Sequence, residues 1–371
     1  MVDLKSQYEK IKEEVNASIQ DVLENNTYIN GPLVHQFQAD LEKYLGAKHV
    51  IPCANGTDAL QIAMMGLGLQ PGDEVITADF TFAATVEVIA LLQLTPVLVD
   101  VDMNNMNISL EGIRKAITPK TKAIVPVHLF GRAANMDAIM EIANEHNLYV
   151  IEDNAQAIGA DYTNKDGVKK KVGTIGHVAA TSFFPSKNLG CYGDGGAIYT
   201  NDDDLAHIIR GIVNHGMYER YHHDVVGVNS RLDSIQAGVL KAKLPHLDSY
   251  NRARQDAARK YTLALGVNPN IVAPTICENC DCHVFHQYVI RITNGKRDTL
   301  LAHLQEKGIP CAIYYPIPLH SQKAYADVRY KEEDFPVTNQ LCKEVIALPM
   351  HTELDDEQIK FITNTVLEFL K

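Results

Sequence analysis

The stretch KAIVPVHLFGRAANMDAIMEIANEHNLYVIED, residues 122–153, decides the fold class. KAIVPV (122–127) is a short β-branched run, residues 134–146 place apolar side chains at helical spacing, and LYVIED (148–153) is a second apolar run. Strand, helix and strand in succession form the unit that builds a parallel sheet. The same alternation extends in both directions. HVIPC (49–53), EVIT (74–77) and PVLVDV (96–101) precede it, and VAATSFF (178–184) and GAIYT (196–200) follow. Leu60, Ala63, Met64 and Leu67 repeat at i, i+3, i+4 and i+7, and residues 82–93 and 109–117 also read as helices. The pattern predicts an α/β fold, a mostly parallel sheet covered on both faces. The last strands come close together, so part of the sheet is expected to depart from strict alternation.

The style changes after residue 232. Residues 233–265 form a long helical pattern that Pro245 should bend or break. A strand (VFHQYVIRI, 284–292), a helix near 296–307, a strand at 309–315 and a terminal helix near 355–370 follow. We therefore expect a large domain over 1–240, opened by a helical segment, and a smaller α+β domain over 241–371.

The chain has 371 residues, 46% hydrophobic and 22% charged, as in an ordinary globular protein large enough for a full core. Its 46 acidic against 34 basic side chains give a formal charge of −12, which repels phosphate backbones and anionic lipid. Nucleic-acid and membrane partners are not expected. The start, MVDLKSQYEKIKEEV, does not read as a signal peptide, and seven scattered cysteines fit reduced thiols in the cytoplasm. Cys277, Cys280 and Cys282 lack a second pair at zinc-finger spacing, so a structural loop is favoured there over a metal site.

In open α/β sheets, ligands bind beyond the carboxyl ends of strands. Three such ends are chemically loaded here. Asn55-Gly56-Thr57-Asp58 lies between a strand and a helix, where free N–H groups favour a phosphate; the plain alternative is a helix cap by Thr57 or Asp58. Glu152-Asp153-Asn154-Ala155-Gln156 ends an apolar strand in acids, suited to a metal, a ribose or a protonated ring nitrogen. Ser182-Phe183-Phe184-Pro185-Ser186-Lys187 precedes NLGCYGDGGA and sets a lysine among apolar and glycine residues. Desolvation there would lower the pKa of the amine, and a neutral amine attacks an aldehyde. Neither G-x-G-x-x-G nor G-x-x-x-x-G-K-[ST] occurs, so dinucleotide and P-loop assignments fail. A phosphate cradle, a buried carboxylate and a lysine are the contacts that pyridoxal phosphate (PLP) requires.

The strings CANGTDAL (53–60), GDEVIT (72–77), FTFAAT (80–85), PVLVDVD (96–102), TKAIVPVHLFG (121–131), VIEDNAQAIGA (150–160), TSFFPSKNLGCYGDGGAI (181–198), NHG (214–216), YHHDVVGVNSRLDSIQAGVL (221–240) and YYPIPLH (314–320) stand in one order. In that order the sequence resembles the sugar aminotransferases of the DegT/DnrJ/EryC1/StrS type. The resemblance implies the PLP-dependent aspartate-aminotransferase fold (fold type I), with a large domain built on a mostly parallel mixed sheet and a smaller α+β domain. It implies Lys187 as the Schiff-base lysine, Asp153 as the partner of the pyridine nitrogen and Gln156 as the partner of the ring hydroxyl. It further implies Gly56, Thr57 and Ser182 at the phosphate and Phe82 stacked on the ring. Asn229 would reach the phosphate from the second subunit of a homodimer with shared active sites. Arg231 and the loop Tyr314–His320, with Tyr314, Tyr315 and His320, match regions that contact the sugar.

Some relatives replace the lysine, usually by histidine, and act as dehydratases; this chain keeps Lys187, which favours amino transfer. The expected reaction moves an amino group from L-glutamate to a nucleotide-linked ketosugar in bacterial surface-polysaccharide (lipopolysaccharide O-antigen) synthesis. The motifs look most like those of enzymes that aminate 3-keto UDP-N-acetylglucosaminuronic acid. Arg220, His222, His223, Arg231 and His320 offer groups suited to a uronate and a diphosphate. A 4-keto UDP-sugar, a dTDP-3-keto-6-deoxyhexose, or a PLP-binding regulator or dehydratase relative are the alternatives.

Overall fold

The computed structural model describes residues 1–276 and 282–371. Its central sheet has seven strands: β1 His49–Cys53, β2 Glu74–Ala78, β3 Thr95–Val99, β4 Thr121–Val125, β5 Tyr149–Asp153, β6 Val178–Ser182 and β7 Gly196–Thr200. Their spatial order is β1-β7-β6-β5-β4-β2-β3, and β7 alone runs against the others, pairing antiparallel with both β1 and β6. The crowded late strands thus produce the expected departure from alternation. The six co-directed strands bring their carboxyl ends to one edge of the sheet.

Side-chain alternation splits the sheet into two dry faces. Ile51, Val75, Val125, Ile151 and Ile198 pack with α4 (Gly56–Gly66), α5 (Ala84–Leu91) and α8 (Asp203–Ile212). On the other face, Ile76, Ile124 and Val150 meet α6 (Leu110–Ala116) and α7 (Met136–His146). Val50, Ala179 and Tyr199 meet α3 (Pro32–Leu45) and α9 (Ser234–Lys243) there. Before α3 come α1 (Leu4–Lys10) and α2 (Lys12–Asn25). Pro245 acts as expected: α9 ends, Leu244–His246 form a single 3₁₀ turn, and α10 resumes over Leu247–Leu265.

A second, three-stranded antiparallel sheet joins β8 (Ile271–Val272), β9 (Tyr288–Ile292) and β10 (Val345–Leu348). With α10, α11 (Arg297–Glu306) and α13 (Asp356–Phe369) it encloses its own core around Tyr261, Tyr288 and Leu300; α12 (Pro336–Glu344) leads into β10. Two expectations need correction. The strand expected at 284–292 begins only at Tyr288, because Phe285 takes a positive φ of 46° and Val284 pairs with Gly131 instead. The segment 309–315 is no strand: Ala312 alone bridges to Ala347, and Pro310 and Pro316 limit further pairing.

Cys277 and Cys280 lie outside the described residues. Among the described residues no cluster of three or more histidine, cysteine or acidic side chains is placed to hold a metal ion. Nor is any described helix long and apolar enough to cross a membrane.

Candidate active site

The three loaded strand ends converge because β1, β5 and β6 end on the same edge. Asn55 caps α4: its side chain accepts the Asp58 N–H at 2.8 Å, and its carbonyl accepts the Ala59 N–H at 3.1 Å. The cap is therefore Asn55, which corrects the alternative of Thr57 or Asp58. The N–H groups of Gly56 and Thr57, which open α4, have no protein acceptor among the described residues, as expected for a helix start that faces an anion. A side chain at Gly56 would not fit: an ideal Cβ would stand 2.7 Å from Ser182 Cβ. That close approach brings the Ser182 hydroxyl beside the opening of α4.

On β5 the pleat sends neighbouring acids to opposite faces. Glu152 is buried against the α7 face, where it accepts hydrogen bonds from Gly173 (2.8 Å), Ile175 (2.7 Å) and Gly176 (2.6 Å) N–H groups and pairs with His128 Nε2 at 2.9 Å. His128 Nδ1 accepts the Ala134 N–H at 3.1 Å, so its proton is on Nε2 and donates to Glu152. Burial pushes the Glu152 carboxyl up, but His128 and the glycine N–H groups outweigh it and hold the carboxyl below its usual range. Every lone pair direction of Glu152 is thus committed to the fold.

Asp153 faces the α5 side and is equally buried, yet less satisfied. Thr85 Oγ1 donates to it at 2.8 Å and the Ala155 N–H at 3.1 Å. Burial raises its pKa, against the pull of those hydrogen bonds and of the Lys187 charge. A buried carboxylate of this kind gains from a cationic N–H partner. Lys187 stands in a turn after β6, its N–H bonded to the Phe184 carbonyl at 2.8 Å. Burial pushes its amine down to about 8, while Asp153 pulls the other way. The neutral amine is therefore more accessible than in a solvated lysine.

Gln156 Oε1 takes the Phe130 N–H at 2.6 Å, which fixes the orientation of the amide, and its Nε2 reaches the Tyr315 hydroxyl at 3.3 Å. One amide proton remains for a ligand oxygen. Phe130 holds a positive φ of 57° to make this contact and stacks on Tyr315 at 6.3 Å. Phe82 is 58% exposed and 6.4 Å from Tyr315, an open aromatic face at the rim. The contacts thus link Lys187 with Asp153, Gly56 with Ser182, and Gln156 with Tyr315 and Phe82.

The remaining expected residues are placed differently. His320 is buried in a wall: Asp79 accepts both its N–H and its Nδ1–H at 2.7 Å, and its ring stacks on Phe335 at 4.4 Å. Tyr314, joined to Tyr315 by a cis peptide bond, is half-buried. Asn229 is exposed and only its backbone is engaged, in a bridge to Asn214, while Ser230 Oγ accepts the Ala54 N–H at 3.1 Å. Asp233, not Asn229, occupies the cap position of α9. Arg231 is half-buried with no ion pair among the described residues. Arg220, His222 and His223 ride on an exposed hairpin (Met217–Glu219 with His222–His223), where the Arg220 guanidinium packs on the Tyr221 ring at 5.0 Å. The reading of the sequence passed over Thr85, His128, Phe130 and Asp79, whose roles arise only from tertiary contacts.

Comparison with known proteins agrees with this geometry. Residues 9–367 match the model of the DegT/DnrJ/EryC1/StrS aminotransferase family. The chain is 48% identical to the "UDP-2-acetamido-2-deoxy-3-oxo-D-glucuronate aminotransferase" of Pseudomonas aeruginosa over 361 residues, 97% of each chain. It is 46% identical to a "Pleiotropic regulatory protein" of Geobacillus stearothermophilus over 373 residues, 100% of this chain and 98% of that one. The crystal structure of NtdA from Bacillus subtilis "with bound cofactor pmp" superposes with a TM-score of 0.90 at 29% identity, covering 97% of this chain and 82% of that one. Because the match runs from the N-terminal helices through the Lys187 turn to the last helix, this chain belongs to the DegT/DnrJ/EryC1/StrS aminotransferase family.

Proposed function

We propose that the protein transfers an amino group from L-glutamate to the 3-keto form of UDP-N-acetylglucosaminuronic acid, in the synthesis of a bacterial surface polysaccharide in the cytoplasm. The observation that carries the reaction type is Lys187, held in the turn after β6 near the buried carboxylate of Asp153 in a chain of the aminotransferase family, with burial lowering its amine. The 48% identity with the Pseudomonas aeruginosa 3-oxo-glucuronate enzyme supports the acceptor.

PLP, when bound, supplies an aldehyde for the amino group and a ring that draws electrons from the carbon losing its proton. The residues fit it. The Gly56 and Thr57 N–H groups and the Ser182 hydroxyl would hold the phosphate, and Phe82 would cover one ring face. Asp153 would bind the ring N–H and keep it protonated, and Gln156 would donate its spare amide proton to the ring hydroxyl. Lys187 would attach the cofactor and, once displaced by the amino donor, move a proton between the donor carbon and the cofactor. Residues 1–240 would form the cofactor-binding domain and 241–371 the smaller domain, whose loop Tyr314–His320 borders the sugar. Arg231 would bind the sugar.

A homodimer with shared sites completes the reading. The exposed apolar side chains Phe82, Phe184 and Ile317 and the exposed Arg220–His223 hairpin suit contact with a second copy. Asn229 of that copy would then reach the phosphate, and its Arg220, His222 and His223 the uronate or diphosphate.

The test is turnover with glutamate against a panel of nucleotide ketosugars. The 3-keto uronic acid should react faster than its non-carboxylated analogue; equal rates would move the assignment to a 4-keto or 6-deoxy acceptor. The 46% identity with the Geobacillus regulatory protein favours one other reading, a PLP-binding regulator. Absence of turnover with every ketosugar, despite bound cofactor, would select it.

A further inference from the structure

Tyr315 lies in the segment after α11, yet its side chain packs among aromatic rings beyond the ends of β2 and β4. Its ring stands edge-on to Phe80 at 5.9 Å, stacked on Phe130 at 6.3 Å and tilted to Phe82 at 6.4 Å. Phe80 and Phe130 are themselves buried and edge-on to each other at 6.4 Å. A phenyl ring would fill this cluster alone. A hydroxyl set among such rings costs free energy unless it is hydrogen-bonded. The Tyr315 hydroxyl has its bond, accepting Gln156 Nε2 at 3.3 Å. Burial raises the pKa of the phenol, so it accepts as a neutral group and brings no charge.

Two contacts then fix the Gln156 amide. The Phe130 N–H holds Oε1 at 2.6 Å, and Tyr315 takes one of the two Nε2 protons. Phe130 serves twice, bonding Gln156 through its backbone and Tyr315 through its ring. With the oxygen and one proton engaged, the second Nε2 proton points one way. Tyr315 thus touches Gln156 and Phe82, the residues placed above at the ring hydroxyl and the ring face of the cofactor.

We propose that Tyr315 is a positioning residue for the cofactor end of the site rather than a sugar contact: its hydroxyl aims the spare Nε2 proton of Gln156 at the ring oxygen. This rests on the cofactor placement proposed above. A donor held on that oxygen stabilises negative charge there in both half-reactions, including the one that no sugar enters.

The experiment compares Tyr315→Phe, Gln156→Leu and the double variant, each loaded with PLP. Tyr315→Phe keeps the ring for its three aromatic contacts and removes only the hydroxyl. Stopped-flow absorbance follows the glutamate half-reaction with no sugar present. A pH titration follows the visible band of the bound cofactor with no substrate at all. Tyr315→Phe should slow the glutamate step about five- to tenfold and leave the KM for the 3-keto uronic-acid sugar within about twofold. A hydrogen bond to a charged form favours that form, so a misdirected donor should raise the midpoint of the band by about half a pH unit. Gln156→Leu should show both effects at larger size, and the double variant should match Gln156→Leu alone. An unmoved glutamate step or an unmoved midpoint in Tyr315→Phe would overturn the proposal, and a raised KM for the sugar alongside would make Tyr315 a sugar contact. Single effects that simply add in the double variant would also overturn it, since the hydroxyl would then act without Gln156. Absence of a visible band, or a borohydride-fixed cofactor on a lysine other than Lys187, would instead overturn the underlying reading together with this one.

Discussion

At the scale of single residues, the two acids that end β5 show how one backbone register assigns different work to neighbours. Glu152 is fully bonded to the fold, whereas Asp153 keeps spare acceptor capacity. We predict that Asp153→Asn lowers kcat on the order of a hundredfold, since a neutral amide does not stabilise charge on the ring nitrogen. Cofactor retention should change far less, because on the proposed placement the phosphate would be held from α4 and Ser182. Stopped-flow and equilibrium cofactor titration measure the two; impaired folding with normal activity per folded molecule would make Asp153 a structural residue. The acids themselves were legible in the sequence, as was Lys187. The residues alone left Glu152 and Asp153 equivalent and only the resemblance pointed to Asp153, because what separates them is the pleat and His128 arriving from another strand end.

At the scale of elements, the parallel strands were readable because both their faces are buried and the apolar runs are nearly continuous. The 284–287 and 309–315 segments misled because β-branched and aromatic composition was present without partner strands. The glycine-rich loop after Lys187 is another feature that only packing explains. Lys243 of α9 is buried beneath it, donating to the Gly190 carbonyl at 2.8 Å and lying 4.4 Å over the Tyr192 ring. Burial lowers its amine to about 8, with Cys191 pulling upward. A lysine whose folded pKa lies below the unfolded value of about 10.4 burdens the fold while charged, and unfolding takes up a proton between those values. This group's contribution to stability therefore rises from pH 8 toward pH 10.4. Lys243→Met removes the charge and also the hydrogen bond to Gly190. Relative to wild type, the variant should lose ground by roughly 1–3 kcal/mol as pH rises across that window. Denaturant melts at pH 7 and pH 10 measure this, and a constant difference would contradict it.

At the scale of the whole molecule, the central sheet collects Gly56, Asp153 and Lys187 on one edge, while the hairpin and Asn229 are exposed. On the shared-site proposal, mixing Lys187→Ala with a weakened Asn229→Ala variant should restore activity above either parent. Subunit exchange creates one site in which both residues are intact. Confirmed exchange without recovered activity would mean that each chain builds its pocket alone. All of this depends on Lys187 being the residue that carries the cofactor. The most direct test is borohydride reduction of the purified, cofactor-loaded protein, followed by digestion and mass spectrometry. The account predicts that the fixed cofactor lies on the peptide containing Lys187, with the label lost in Lys187→Ala. Recovery of the label on Lys243 or any other lysine would contradict it.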